Sequence, residues 1–356
     1  MSSRAADLSR LTIDRTHGGT GAGLIDFSAS LNPLGPPPEA IAAYHRAADR
    51  LALYPAPYPR ALEARIASWI DVAPGAVLAG NGSTQLIYLI ARELRLRCAA
   101  VVIPTFSEIG NSLIGAGSQP VAVPTRSERD FRLDPAAIDT VLEGGSDGIF
   151  LGRPNSPTGQ LIAFEEIREI AARCARRDAW CVIDEAFIEF ADDPRSAADL
   201  ICSMPKVIVL RSLTKIFALA GLRIGYAVAH PQLIGRLRDS IEPWSVNTAA
   251  EAAASACLDV AQDWIARTRR LVISERCRIE TALAASARIR PIPSSANFVM
   301  AQVAEDAPGD FARHLQSRGL AARDLSALPG CGAGFYRFGV RMPADNDVLC
   351  RAIAEY

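Results

Sequence analysis

The chain has no C-x-x-C pair, no cluster among its four histidines, and eight cysteines scattered along 356 residues. That spacing excludes the common zinc sites and a disulfide framework, and it predicts reduced thiols in a cytoplasmic protein. No basic block stands out and the net charge is −1, so nucleic acid is not an expected partner. The most apolar run, residues 217–229, is cut by Arg223 and is too short to span a bilayer, so no membrane partner is expected either. The first residues lack the apolar centre of a signal peptide, and there are no repeats or low-complexity segments. What is present is apolar bulk: 49% hydrophobic residues, enough for a large core, over a length that predicts one large and one small domain.

The informative stretch is residues 211–226. Lys215 is the one lysine in a run of small, hydroxylated and apolar residues. Residues 206–210 read as a buried strand and residues 221–229 as a second. Lys215 therefore falls on a short link between buried elements, where burial disfavours the ammonium and lowers its pKa. A neutral amine is the nucleophile that carbonyl chemistry requires. Ser212 and Thr214 supply hydroxyls and Arg223 a guanidinium, the groups that cradle a phosphate. A Schiff-base lysine beside a phosphate cradle points to pyridoxal 5'-phosphate. Taken singly, a lysine near an arginine also fits an ordinary surface pair.

Other candidates fall just after predicted strands. Glycines and hydroxyls at 80–84 open a helix running to about residue 94, which is an anion site through its free N–H groups and helix dipole, although Ser83 could be a plain cap. Strands end at Phe106, at the turn 153–159 containing Asn155 and Ser156, and at Asp184. Strands alternating with helices predict an α/β fold with a mostly parallel sheet, and such sheets bind ligands beyond their carboxyl ends. Asp184 would keep a pyridine nitrogen protonated, Phe106 would stack on the ring, and Ser83, Thr84, Ser212, Thr214 and Arg223 would hold the phosphate; Lys215 would then serve as acid and base. Phe106 as core and Asp184 as a helix cap are the alternatives. The Pro- and Gly-rich residues 25–38 and 54–59 read as irregular, a helix is expected over 61–70, and a long helical region over 248–285 opens a smaller α+β part. The expected division is an arm over 1–48 packing with the small domain, a cofactor-binding domain over 49–235 and a small domain over 236–356.

The order and spacing of G-N-G-S-T (80–84), P-T-F (104–106), P-N-S-P-T-G (154–159), D-E-A-F (184–187), S-L-T-K (212–215) and G-L-R-I-G-Y (221–226) resemble the aspartate-aminotransferase superfamily, the fold-type I pyridoxal phosphate enzymes, over nearly the whole chain. H-G-G (17–19), D-F-S-A-S-L-N-P-L-G (26–35), D-E-A-F-I-E-F (184–190), P-W-S-V-N (243–247) and Y-R-F-G-V-R (336–341) narrow it to the branch of histidinol-phosphate aminotransferases and L-threonine-O-3-phosphate decarboxylases, with the decarboxylases more similar. That resemblance implies decarboxylation of L-threonine O-3-phosphate to (R)-1-amino-2-propanol O-2-phosphate for cobalamin synthesis, with amino transfer from histidinol phosphate as the alternative. It also implies that Arg337 holds the substrate carboxylate and Arg323 its phosphate, that His17 and Asn32 line the same pocket, and that Tyr54 reaches the cofactor phosphate of a partner subunit in a homodimer. Arg341 is a further substrate-side candidate. Two positions depart from the aminotransferase pattern. Ser156 stands where an asparagine usually donates to the ring hydroxyl, leaving Asn155 or Ser156 for that task, and Phe187 replaces a tyrosine that would donate there as well.

Overall fold

The structure is a computed structural model that describes residues 18, 19 and 23–356. His17, expected on the substrate side, lies outside the described residues. In chain order the strands are β1 (Ile25–Asp26), β2 (Val77–Gly80), β3 (Cys98–Ile103), β4 (Gln119–Pro124), β5 (Gly148–Gly152), β6 (Trp180–Asp184), β7 (Val207–Ser212), β8 (Gly225–Ala229), β9 (Ile289–Ile292), β10 (Phe298–Val303), β11 (Leu320–Ala321), β12 (Arg323–Asp324) and β13 (Phe335–Gly339).

The central sheet has seven strands in the order β2-β8-β7-β6-β5-β3-β4, and only β8 runs against its neighbours. Its inner strands are buried on both faces, which explains their unbroken apolar runs. Ile149, Ile183 and Val209 face a helical layer containing Leu62, Ile66, Ile167 and Ile170. Phe150, Val182 and Ile208 face the opposite layer with Leu86, Ile90, Ile109 and Leu113. The helices follow from local signals. Helix Phe164–Arg176 buries Phe164, Ile167, Ile170, Ala171 and Cys174 along one stripe, and Glu166 accepts the Ala163 N–H at its start.

A second, antiparallel sheet of order β12-β13-β10-β9 forms a separate, smaller C-terminal domain. The arm crosses to it, with β1 parallel to β11 through Ile25–Leu320 and Asp26–Ala321.

Three local expectations are corrected. The strand expected over 221–229 begins only at Gly225, because residues 220–222 form a helical turn and Arg223 adopts a left-handed conformation (φ 59°). The helical region 248–285 is two helices, Thr248–Asp259 and Ala261–Ala284, broken at Val260, whose ψ of 9° leaves the helical range. The Pro-rich stretch ends in a helix, Pro38–Ala47, because proline is well tolerated at a helix's first position, where no N–H is needed.

Candidate active site

The carboxyl edge of the central sheet gathers most of the expected residues. Gly152, Asp184 and Leu210 lie in one cross-strand row, and Ser212, Gly225 and Gly80 form another. Beyond this edge β7 turns into the short helix Leu213–Ile216, which carries Lys215. Burial first, then the charges of Arg337 and Arg223, push the Lys215 ammonium down to about 8, with Asp184 opposing the shift. Burial raises the Asp184 carboxyl to about 6, against the Ala186 N–H it accepts and the charge of Lys215. Acid and amine therefore both titrate close to neutrality, which singles out functional sites.

Beside them is an anion cradle. Helix Gly82–Leu94 starts after Asn81 with no side-chain cap, so its first N–H groups, including those of Ser83 and Thr84, remain for a ligand. A Cβ on Gly82 would lie 2.7 Å from an Arg223 guanidinium nitrogen, and one on Gly225 would lie 2.5 Å from the Ser83 nitrogen. Glycine at both positions lets the helix start, Arg223 and β8 close on one point. Ser212 and Thr214 share a hydroxyl–hydroxyl bond of 2.6 Å, both buried. Amides, two hydroxyls and a guanidinium close together suit a phosphate dianion, and the Lys215–Asp184 pair suits an aldehyde joined to a pyridine nitrogen.

Arg337 projects from β13 towards the same place. Its guanidinium lies 5.2 Å from the Phe298 ring centre, Phe298 meets Phe187 edge to face at 5.0 Å, and the Lys215 Nζ is 5.7 Å from the Phe187 ring. Arg337 donates to the Ser28 carbonyl (2.8 Å) and the Ser156 hydroxyl (3.1 Å), and it has no carboxylate partner among the described residues. Burial, and then Arg323 beside it, push it down to about 10. Arg323 of β12 is its direct cross-strand neighbour. Like charges side by side on one sheet are unfavourable.

The remaining expected residues make contacts of their own. The Asn155 amide donates to the Pro104 carbonyl (2.8 Å) and the Thr158 hydroxyl (2.9 Å), which uses both hydrogens and leaves Ser156 as the free donor of the two. Asn32 is spent as well: its amide bonds the Ile216 carbonyl and the Thr268 hydroxyl, its carbonyl oxygen accepts from Leu34, and its backbone N–H bonds the Lys215 carbonyl. It clamps the arm to the lysine turn. Arg341 pairs with Asp345, bonds the Asp26 carbonyl and lies over Phe27, so its contacts anchor the arm. Phe106 opens helix Ser107–Gly115, half-buried against the second helical layer. Tyr54 is 83% exposed beside the Trp244 ring.

One cluster escaped the sequence reading. Arg153, Glu185, Arg211 and Glu189 form a buried ion network directly behind Asp184. The signal was an arginine ending each of two apolar strands, positions where a buried charge must find a partner.

This fold, with a lysine and an aspartate at the sheet edge and an anion cradle beside them, defines a pyridoxal phosphate-dependent enzyme of fold type I. The chain belongs to the aminotransferase class I and II family, which matches residues 22–353, and its cofactor is pyridoxal 5'-phosphate. It is similar to histidinol-phosphate aminotransferase of Roseiflexus castenholzii (34% identity over 93% of this chain and 89% of that one) and to threonine-phosphate decarboxylase of Salmonella typhimurium (32% over 93% and 90%). In structure it is similar to histidinol-phosphate aminotransferase of Clostridium acetobutylicum, with a TM-score of 0.86 and 26% identity over 93% of this chain and 98% of that one. The relatives thus divide between two activities at similar identity.

Proposed function

We propose that the protein decarboxylates L-threonine O-3-phosphate to (R)-1-amino-2-propanol O-2-phosphate, as a step of cobalamin synthesis. The observation that carries this reading is Arg337, half-buried on β13 beside Arg323 and with no carboxylate partner among the described residues. A substrate carboxylate supplies the counter-charge that Arg337 lacks, although amino transfer calls on the same arginines.

When bound, the cofactor supplies an aldehyde for an amine and an electron-withdrawing ring that takes up the electron pair left at Cα. Asp184, ionised above about pH 6, holds the protonated ring nitrogen. The amides of Ser83 and Thr84, the Ser212–Thr214 hydroxyls and Arg223 hold the cofactor phosphate. Phe106 covers a ring face, Ser156 donates to the ring hydroxyl, and Phe187 presents only an apolar edge there. Arg337 grips the substrate carboxylate and so sets which Cα bond stands perpendicular to the ring, the bond that breaks. Arg323 holds the substrate phosphate. Carbon dioxide leaves without its bonding pair, and Lys215 as ammonium returns a proton to Cα. The reading includes a homodimer in which Tyr54 of each copy serves the other's cofactor phosphate, in keeping with the exposed Leu51, Leu53 and Tyr54.

Amino transfer from histidinol phosphate is the second reading, supported by relatives of that name at equal identity. Carbon dioxide release from L-threonine O-3-phosphate, compared with unphosphorylated L-threonine, tests the first. Release that depends on the phosphate supports it, and no release from a fully loaded enzyme contradicts it.

A further inference from the structure

Arg153 is fully buried immediately after β5, and its bonds reach three loops. Its Nε donates to the Ile162 carbonyl at 2.8 Å, and its Nη1 donates to Glu185 Oε1 at 2.9 Å and to the Arg195 carbonyl at 2.7 Å. Its backbone N–H donates to the Asp184 carbonyl at 2.8 Å. Glu185, the residue after Asp184, also accepts the Ser196 hydroxyl at 2.5 Å and the Ala197 N–H at 2.9 Å, and its second oxygen lies 3.8 Å from Arg211. Arg211 in turn bonds Glu189 at 2.7 Å. Two arginines thus balance two glutamates, and Tyr226, packed by Arg211, stays neutral because burial raises its phenol.

We propose that Arg153 is a positioning residue for Asp184, acting through Glu185: its guanidinium cancels the buried carboxylate next in the chain and ties the loops behind the cofactor site into one piece. This rests on the reading that Asp184 holds the cofactor's ring nitrogen. Asp184 faces two charges that govern its proton, Lys215 from the turn after β7, which favours the carboxylate, and Glu185, which opposes it. Without Arg153 the network carries one excess negative charge a single residue from Asp184. Breaking one side of a buried pair leaves an uncompensated charge, and removing both sides does not. The turn that carries Ser156 would also lose its bond at Ile162.

The test uses the full-length enzyme loaded with pyridoxamine 5'-phosphate, which makes no bond to Lys215, dialysed from about pH 5 to about pH 9 with the retained cofactor measured. Below a midpoint set by Asp184, cofactor is lost. Arg153→Met moves that midpoint up by about one pH unit, Glu185→Gln moves it down, and the double variant returns close to the parent. Thermal melting is recorded in parallel. A lower melting temperature in Arg153→Met with an unmoved midpoint would assign the residue to stability alone and overturn the proposal. If Arg153→Met does not fold, Glu185→Gln decides: an unmoved or raised midpoint overturns it equally. Asp184→Asn separates the underlying reading. If Asp184→Asn retains cofactor as the parent does, Asp184 does not hold the ring, and the proposal falls with that reading. If Asp184→Asn loses cofactor while Arg153→Met behaves as the parent, only the proposal fails.

Discussion

Arg153 is fully buried and Arg337 half-buried, and the fold treats them in opposite ways. Arg153 meets Glu185 in a pair with no exposed side-chain surface, and two backbone carbonyls take up further donors. Arg337 meets a carbonyl and a hydroxyl, no carboxylate among the described residues, and a second arginine on the adjacent strand. An unpaired buried charge is expensive and persists where a ligand completes it. On the proposed reading, the contrast separates an arginine that holds the protein together from one that waits for substrate.

Reciprocal substitutions probe that contrast most strongly. Arg337→Met is expected to lower kcat/KM on L-threonine O-3-phosphate by about 10²–10³-fold, because it strands a substrate anion, with thermal stability kept or raised. Arg153→Met is expected to lower stability by about 3–5 kcal/mol, measured by denaturant unfolding, since it strands Glu185. Equal stability losses in the two variants would break the comparison. Next in size, Arg323→Gln raises KM for the phosphorylated substrate by about 10–100-fold and leaves inhibition by unphosphorylated carboxylates nearly unchanged, as inhibition constants would report. Asn32→Ala costs about 1–3 kcal/mol by stranding the Ile216 carbonyl, and it loosens the lysine turn, so cofactor dissociates faster. The smallest effect is on pH. Lys215 is held at about 8, so its neutral form grows as pH rises towards and past that value, and stopped-flow absorbance should show attachment of added pyridoxal phosphate speeding by up to about tenfold per unit below it.

The sheet and its edge were legible because several strands are short buried runs ending in Gly, Pro or a lone charge, and helix Gly82–Leu94 announced its start with glycines and hydroxyls. Lys215 and Asp184 could be placed because both follow such strands. Asn155 and Asn32 were harder: an asparagine's letter does not say whether its amide is free, and only the bonds to Pro104, Thr158, Ile216 and Thr268 decide it. Arg341 stood in a motif beside Arg337 but lies beyond β13, with its guanidinium turned to Asp345 and the arm. The network around Glu185 joins residues up to 58 positions apart, Arg153 and Arg211 at its ends, and local pattern carries no record of such pairings.

The central claim is that Arg337 presents a carboxylate for cleavage. A single-turnover absorbance trace of the enzyme in its pyridoxal phosphate form mixed with L-threonine O-3-phosphate, with carbon dioxide trapped in parallel, tests it most directly. The account predicts carbon dioxide in step with turnover and return of the starting cofactor spectrum. Conversion of the cofactor to its amine form without carbon dioxide would contradict it and assign the protein to amino transfer.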